Sequence, residues 1–220
     1  MLAATTNALP AAAEQPTPSQ TVFVVEDDLD TREAIAELFS PQGFKVRAFG
    51  SAEEFLSGYH PAGPACLLLD ERLPGMPGSE LLRRLHASGV RLPTVLVTAY
   101  ATTPITVAAM RHGATTVLDK PCSDSNLREA VGHALEEDTQ RRRREAHCAA
   151  AKDRLATLSD SERRVLEMVL QGTPNKQIAR RLGVCVRTIE ARRSRIYNAA
   201  GVKSVAELVR LCVAAGFIDA

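Results

Sequence analysis

Six polar residues stand at the ends of short apolar runs, and their types together suit phosphoryl chemistry. Val22-Phe23-Val24-Val25 runs into Glu26, Asp27 and Asp28; Ala65-Cys66-Leu67-Leu68-Leu69 runs into Asp70. Val95-Leu96-Val97 ends in Thr98, and Val117-Leu118-Asp119 ends in Lys120-Pro121. Open parallel sheets place their sites at the carboxyl ends of such strands. Two carboxylates after one strand and a third after another can converge on one hard cation, and Mg²⁺ takes oxygen ligands while leaving room for phosphate. That ion would cancel charge as a phosphoryl group moves to a carboxylate nucleophile. Lys120 would pair with the resulting phosphate and Thr98 would hydrogen-bond it. For any one of these carboxylates alone, a solvated loop charge is the better reading; the constellation points to a site.

A second group is basic. Arg187, Arg192, Arg193 and Arg195 lie within nine residues, and arginines at this density attract a phosphate backbone. The charge of the 220-residue chain is divided accordingly, although it sums to only +1. Residues 21–137 carry 10 Lys+Arg against 16 Asp+Glu, whereas residues 158–212 carry 11 against 5. An acidic first half and a basic second half imply two domains with different partners, the second meeting nucleic acid.

The elements that must position these residues follow from periodicity. Residues 1–20, rich in Ala, Pro, Thr and Gln, read as a disordered tail. From Thr21 strands alternate with helices: strands at 21–25, 45–49, 65–69, 93–98 and 115–118, helices at 30–40, 51–58, 79–87, 104–112 and 124–137. Five such units predict an α/β, doubly wound, five-stranded parallel sheet over 21–137. Residues 138–157 lack Gly and Pro and should prolong the last helix as a helical linker. Its run Arg141 to Arg144 reads first as a solvated face and second as a phosphate contact. From 158 to 220 the pattern is all-helical, with helices at 161–171, 175–182, 186–199 and 204–215. Ser159 with Glu162 three residues on is a capping signal. A short Gly-containing turn before a basic helix is the helix-turn-helix arrangement. In the final helix Val205, Leu208, Val209 and Cys212 line one side, which packs within the domain or, as the weaker alternative, between subunits.

The five cysteines form no CxxC pair, which argues against zinc and disulfides and fits a reducing cytoplasm. No apolar stretch approaches the roughly 18 residues of a membrane span, and no signal peptide is evident.

On these residues the chain resembles two known families. Val-Val-Glu26-Asp27-Asp28, the apolar run into Asp70 followed by Glu-Arg-Leu-Pro-Gly-Met-Pro-Gly, Val-Thr98-Ala and Asp119-Lys120-Pro121 resemble a flavodoxin-like response-regulator receiver. Leu158-Ser-Asp-Ser-Glu, Asn175-Lys-Gln-Ile-Ala-Arg-Arg-Leu-Gly and Val-Arg-Thr188-Ile189-Glu190-Ala-Arg-Arg-Ser-Arg195-Ile196 resemble the LuxR-type helix-turn-helix of NarL/FixJ regulators. The resemblance implies that Asp70 is phosphorylated by a cognate histidine kinase and that Glu26, Asp27, Asp70 and the Arg72 carbonyl hold Mg²⁺. Thr98 and Lys120 would then sense the phosphate. It implies a homodimer on activation, bound to double-stranded DNA at half-sites one helical turn, or a multiple, apart. Glu190, Ala191 and Ser194 fall where the family approaches base edges. Glu190 either accepts from a cytosine amino group or pairs with an adjacent arginine, and Ala191 would touch a thymine methyl. Lys176, Thr188 and Lys203 read as phosphate contacts, joining Arg187, Arg192, Arg193 and Arg195.

Two departures bear on the switch. The family's aromatic residue three places before the lysine is Val117 here, with Tyr100 a nearby aromatic. Its Lys-Pro-Phe is Lys120-Pro121-Cys122. The reading that follows is a transcription factor controlled by phosphorylation, not an enzyme. The alternatives are a DNA-binding protein that uses its receiver only to dimerise, independently of phosphate, and an aspartyl-phosphate hydrolase.

Overall fold

The computed structural model describes residues 20–60, 63–99 and 102–217. Their chain forms two compact units that divide between Gln140 and Arg141.

The first unit is built on five parallel strands: β1 (Thr21–Val25), β2 (Lys45–Phe49), β3 (Ala65–Asp70), β4 (Thr94–Thr98) and β5 (Ala114–Asp119), in the order β2-β1-β3-β4-β5. β1, β3 and β4 are buried along their whole length. Their sequences are accordingly continuous apolar runs, because helices cover both faces of a parallel sheet. Helices α1 (Leu29–Phe39), α2 (Ala52–Gly58), α3 (Gly78–Ala87) and α4 (Thr103–Arg111) alternate with the strands, and α5 (Asp124–Ala156) follows β5.

Strand side chains alternate between faces, and the two cores follow that alternation. Phe23, Val25, Leu67, Leu69 and Leu96 pack with residues of α2, α3 and α4. Val22, Val24, Leu68, Val95 and Val97 pack with Phe39 of α1 and with Leu127, Val131 and Leu135 of α5. Thus α1 and α5 share one face of the sheet and the other three helices share the opposite face.

The α5 helix is 33 residues long and serves both units. Asp138, the first residue of the expected linker, is fully buried in the first unit, where its carboxylate accepts from the Ala65 amide at 2.9 Å. Ala151 and Leu155 are buried in the second unit.

The second unit adds α6 (Asp160–Leu170), α7 (Asn175–Leu182), α8 (Val186–Ala200) and α9 (Val205–Ala214). Ser159 and Glu162 form the expected capping box at the start of α6. Ile178 and Ala179 of α7 face Ile189 and Ile196 of α8 across a core that Leu208, Leu211 and Cys212 of α9 complete. Leu208 and Cys212 of the expected apolar side of α9 therefore pack inside their own domain, whereas Val209 is half-buried and Val205 exposed. Between α7 and α8, Gly183 has φ +66°; this left-handed position ends α7 and costs glycine little.

Candidate functional site

The sheet order reverses direction between β1 and β3, and that switch point is where a doubly wound fold opens a crevice. Val25 lies opposite Leu69 and Asp70 opposite Val97. The residues that end each strand therefore meet at one level. Asp70 itself is the last residue of β3 rather than the first beyond it.

One carboxylate oxygen from each of Glu26, Asp27 and Asp70 lies within 4.8 Å of the others. Glu26 and Asp70 are buried, at 5 % and 6 % exposure, while Asp27 faces solvent. Three oxygens at this spacing, two of them shielded from water, fit a hard divalent cation. Lys120 Nζ reaches Glu26 Oε2 at 2.9 Å and Asp70 Oδ1 at 3.2 Å. Burial pushes the Glu26 carboxyl above its ordinary pKa; Lys120 opposes the shift and the neighbouring Asp70 charge adds to it. Burial works against the Lys120 ammonium, but the Glu26 and Asp70 carboxylates outweigh it and hold its pKa up.

Thr98 is buried at the end of β4, and its carbonyl accepts from the Lys120 amide at 2.7 Å. Thr98 and Lys120 are thus tied together by the β4–β5 ladder. Val117 is half-buried in β5, opposite Leu96. Arg72 lies in the exposed segment after β3. Tyr100 falls outside the described residues.

Several residues hold this site without having stood out in the sequence. Asp28 is the N-cap of α1, accepting from the Thr31 amide at 2.8 Å, and so has a structural task that its place in the acidic triplet concealed. Arg32 on α1 donates to the carbonyls of Glu26 at 2.6 Å and Asp27 at 3.2 Å. Gly78 packs against the strand end: a Cβ there would lie 2.2 Å from the Asp70 carbonyl oxygen. Its amide and the Ser79 amide both donate to Glu71, to the carbonyl at 3.0 Å and the carboxylate at 2.8 Å. The only hint was the Pro77-Gly78 pair at the start of α3.

In the second unit, Arg187, Glu190, Ala191 and Ser194 are exposed on α8. Their spacing gathers them on the side opposite Ile189 and Ile196. Among the described residues no ion pair engages Glu190. Lys176, at the start of α7, and Lys203, before α9, are exposed, and Thr188 is half-buried with its hydroxyl 3.1 Å from Cys185 Sγ. The arginines divide. Arg192 and Arg193 are half-buried on the flanks of α8. Arg193 donates to Asn175 Oδ1 at 2.6 Å and to the Tyr197 hydroxyl, with its guanidinium over the Tyr197 ring. Arg195 is exposed but pairs with Glu162 Oε1 at 3.2 Å. Their density in the sequence grouped all four as phosphate contacts; the structure gives Arg193 and Arg195 partners within the domain.

Comparison with known proteins finds a match for each unit. Residues 22–132 match the response regulator receiver domain, and residues 156–212 match the LuxR family of bacterial regulatory proteins. The chain is 38% identical over 190 residues to nodulation protein W of Bradyrhizobium diazoefficiens, covering 86% of this chain and 84% of that one. It is 36% identical over 200 residues to the transcriptional regulatory protein FixJ of Rhizobium meliloti, covering 90% and 97%. Among solved structures, the response regulator StyR matches with a TM-score of 0.72 at 37% identity over 88% of this chain and 98% of that one. Full-length FixJ from B. japonicum matches with a TM-score of 0.54 at 33% identity over 90% and 98%. The fold and the paired sites define a two-component response regulator. The chain belongs to the FixJ-like branch, transcriptional regulators with a receiver joined to a LuxR-type helix-turn-helix. No helix among the described residues is long and apolar enough to cross a membrane.

Proposed function

We propose that Asp70 accepts a phosphoryl group from the phosphohistidine of a cognate kinase and that this controls how the second unit grips DNA. A carboxylate oxygen of Asp70 forms the new bond to phosphorus as the phosphorus–nitrogen bond breaks and the imidazole leaves with that electron pair. The observation that carries the reading is the position of Asp70. It is 6 % exposed, it shares a cluster with Glu26 and Asp27, and an ammonium stands 3.2 Å away. Glu26, Asp27, Asp70 and the Arg72 carbonyl would hold Mg²⁺, which offsets the negative charge that gathers on the phosphoryl oxygens. Lys120 moves from the carboxylates to a phosphoryl oxygen, and the Thr98 hydroxyl donates to another. Arg32 keeps the backbone beneath the acidic pair in place.

On DNA, the exposed face of α8 enters the major groove. Arg187, Lys176, Lys203 and Thr188 take phosphates, while Glu190, Ala191 and Ser194 meet base edges. The phosphorylated chain pairs, and its two-fold symmetry sets the half-site spacing. The protein works in the cytoplasm, beside the chromosome. Its phosphoryl chemistry acts on itself and not on an external substrate. Val117, a small residue where the resembled receiver family has an aromatic ring, favours a second reading in which the receiver dimerises without phosphate.

Intact mass after incubation with acetyl phosphate and Mg²⁺ tests the first step. The wild type gains one phosphoryl group and Asp70→Asn gains none; labelling of Asp70→Asn would move the acceptor elsewhere. Binding-site selection at several salt concentrations tests the second. Glu190→Ala changes the preferred sequence, whereas Lys203→Ala weakens every site and lowers the salt slope by about one. An unchanged preference for Glu190→Ala would remove base reading from that residue.

A further inference from the structure

We propose that the space between α1 and α5, opening beside Asp70, is a binding site for a small, neutral, apolar molecule. A cavity of about 630 Å³ lies there, floored by Val24, Leu68 and Val97 and walled by Ile35, Leu38 and Leu127. Its volume falls within the roughly 300–1,000 Å³ of small-molecule sites, which combine an apolar lining with a few convergent polar groups. Val24 and Leu68 are shielded from solvent, so the floor is recessed, whereas Ala34 on α1 is exposed and marks the way in.

The space exists because the side chains around it are short for the gap they span. Of α1, only Phe39 at the last position is buried; Ile35 and Leu38 pack against the core on this sheet face but stay partly exposed to the gap. From the other side the wall is Cys122, a small thiol where the resembling family carries Phe. That thiol is half-buried and its pKa is pushed up by burial. It therefore acts as an apolar wall and not as a nucleophile.

Charge at the mouth selects the occupant. Glu26, Asp70 and Asp124 repel an anion there, and Lys120 is already bonded to Glu26 and Asp70. A cation would have to compete for the same carboxylates with the divalent ion they suit. Beyond them the lining is apolar except for Thr31, and a neutral molecule about the size of one or two rings satisfies it. Such an occupant rests against the Asp70 and Lys120 walls, and through them it alters phosphoryl uptake. That consequence, unlike binding itself, rests on Asp70 being the acceptor.

Benzene serves as the probe, followed by methyl NMR on the full chain without phosphodonor. Saturable shifts at Ile35, Leu38 and Leu127 are expected in the wild type. They should be lost in Cys122→Phe, which fills the cavity from one side, and in Ala34→Phe, which blocks it from an exposed helix position. Shifts that do not saturate, or that persist unchanged in Ala34→Phe, would overturn the proposal. Acetyl phosphate labelling on the same samples separates the two claims. A labelling rate that benzene changes in the wild type and not in Ala34→Phe supports the coupling. A rate that saturating benzene leaves untouched removes the coupling. Absence of labelling without benzene defeats the phosphoacceptor reading and leaves the binding result standing.

Discussion

Gly78 shows how much of the acidic pocket depends on a residue with no chemistry of its own. A Cβ at this position would sit 2.2 Å from the carbonyl oxygen of Asp70, so any side chain must push α3 away from the end of β3. Gly78→Ala is expected to cost about 1–3 kcal/mol, the range for forced overpacking, and to slow labelling of Asp70 by displacing it. Hydrogen exchange across β3 in urea checks the first effect; unchanged protection would mean that the strand end is softer than its contacts imply. Glu162 is the corresponding residue of the helical unit. Its carboxyl is held below its ordinary value of 4.5, first by the Ser159 hydroxyl and amide and then by Arg195. A carboxyl whose folded pKa is depressed stabilises the fold above its unfolded pKa and loses that contribution as pH falls through the folded one. The cap's contribution should therefore be complete above about 4.5 and be lost as pH falls from there through the lower folded value. In Glu162→Gln the protection of α6 amides becomes flat across that acid range, while the wild type loses protection.

Helix α5 is the element that the two units share, and Asp138 is where it joins the first. The buried carboxylate takes the Ala65 amide at the start of β3, the strand that delivers Asp70 five residues later. Asp138→Ala leaves that amide unsatisfied, at a cost of about 1–3 kcal/mol. Increased exchange of the β3 amides, with the α6–α9 amides unchanged, is the expected signature. The element pattern was legible because it rests on local rules. Continuous apolar runs marked the three buried strands, and Ser159 with Glu162 marked the start of α6. The acidic cluster was legible too, since strand ends in a parallel sheet converge. Partnerships across the fold were not legible. Nothing in the local sequence shows that Asp138 reaches β3 or that Arg193 braces α7 through Asn175. Local density also put Arg193 and Arg195 among the phosphate contacts of α8, because a partner 18 or 33 residues away leaves no mark on the local sequence.

For the whole molecule, an acidic domain with a shielded carboxylate and a basic domain with an exposed helix face would, on the proposed function, form input and output of one switch. On the proposed function the joint action of the two sites would be a coupling free energy between phosphorylation at Asp70 and DNA at α8. The Val117 position makes this coupling the point most in need of measurement. It is measured by fluorescence anisotropy on DNA that the protein itself selects from a random pool, before and after acetyl phosphate with Mg²⁺, in wild type and Asp70→Asn. Phosphorylation is expected to tighten wild-type binding by about 5–150-fold, the usual range of allosteric coupling, and to leave Asp70→Asn unchanged. Equal affinity of phosphorylated and unphosphorylated wild type would contradict phosphorylation control and favour a receiver that serves only to pair the chains.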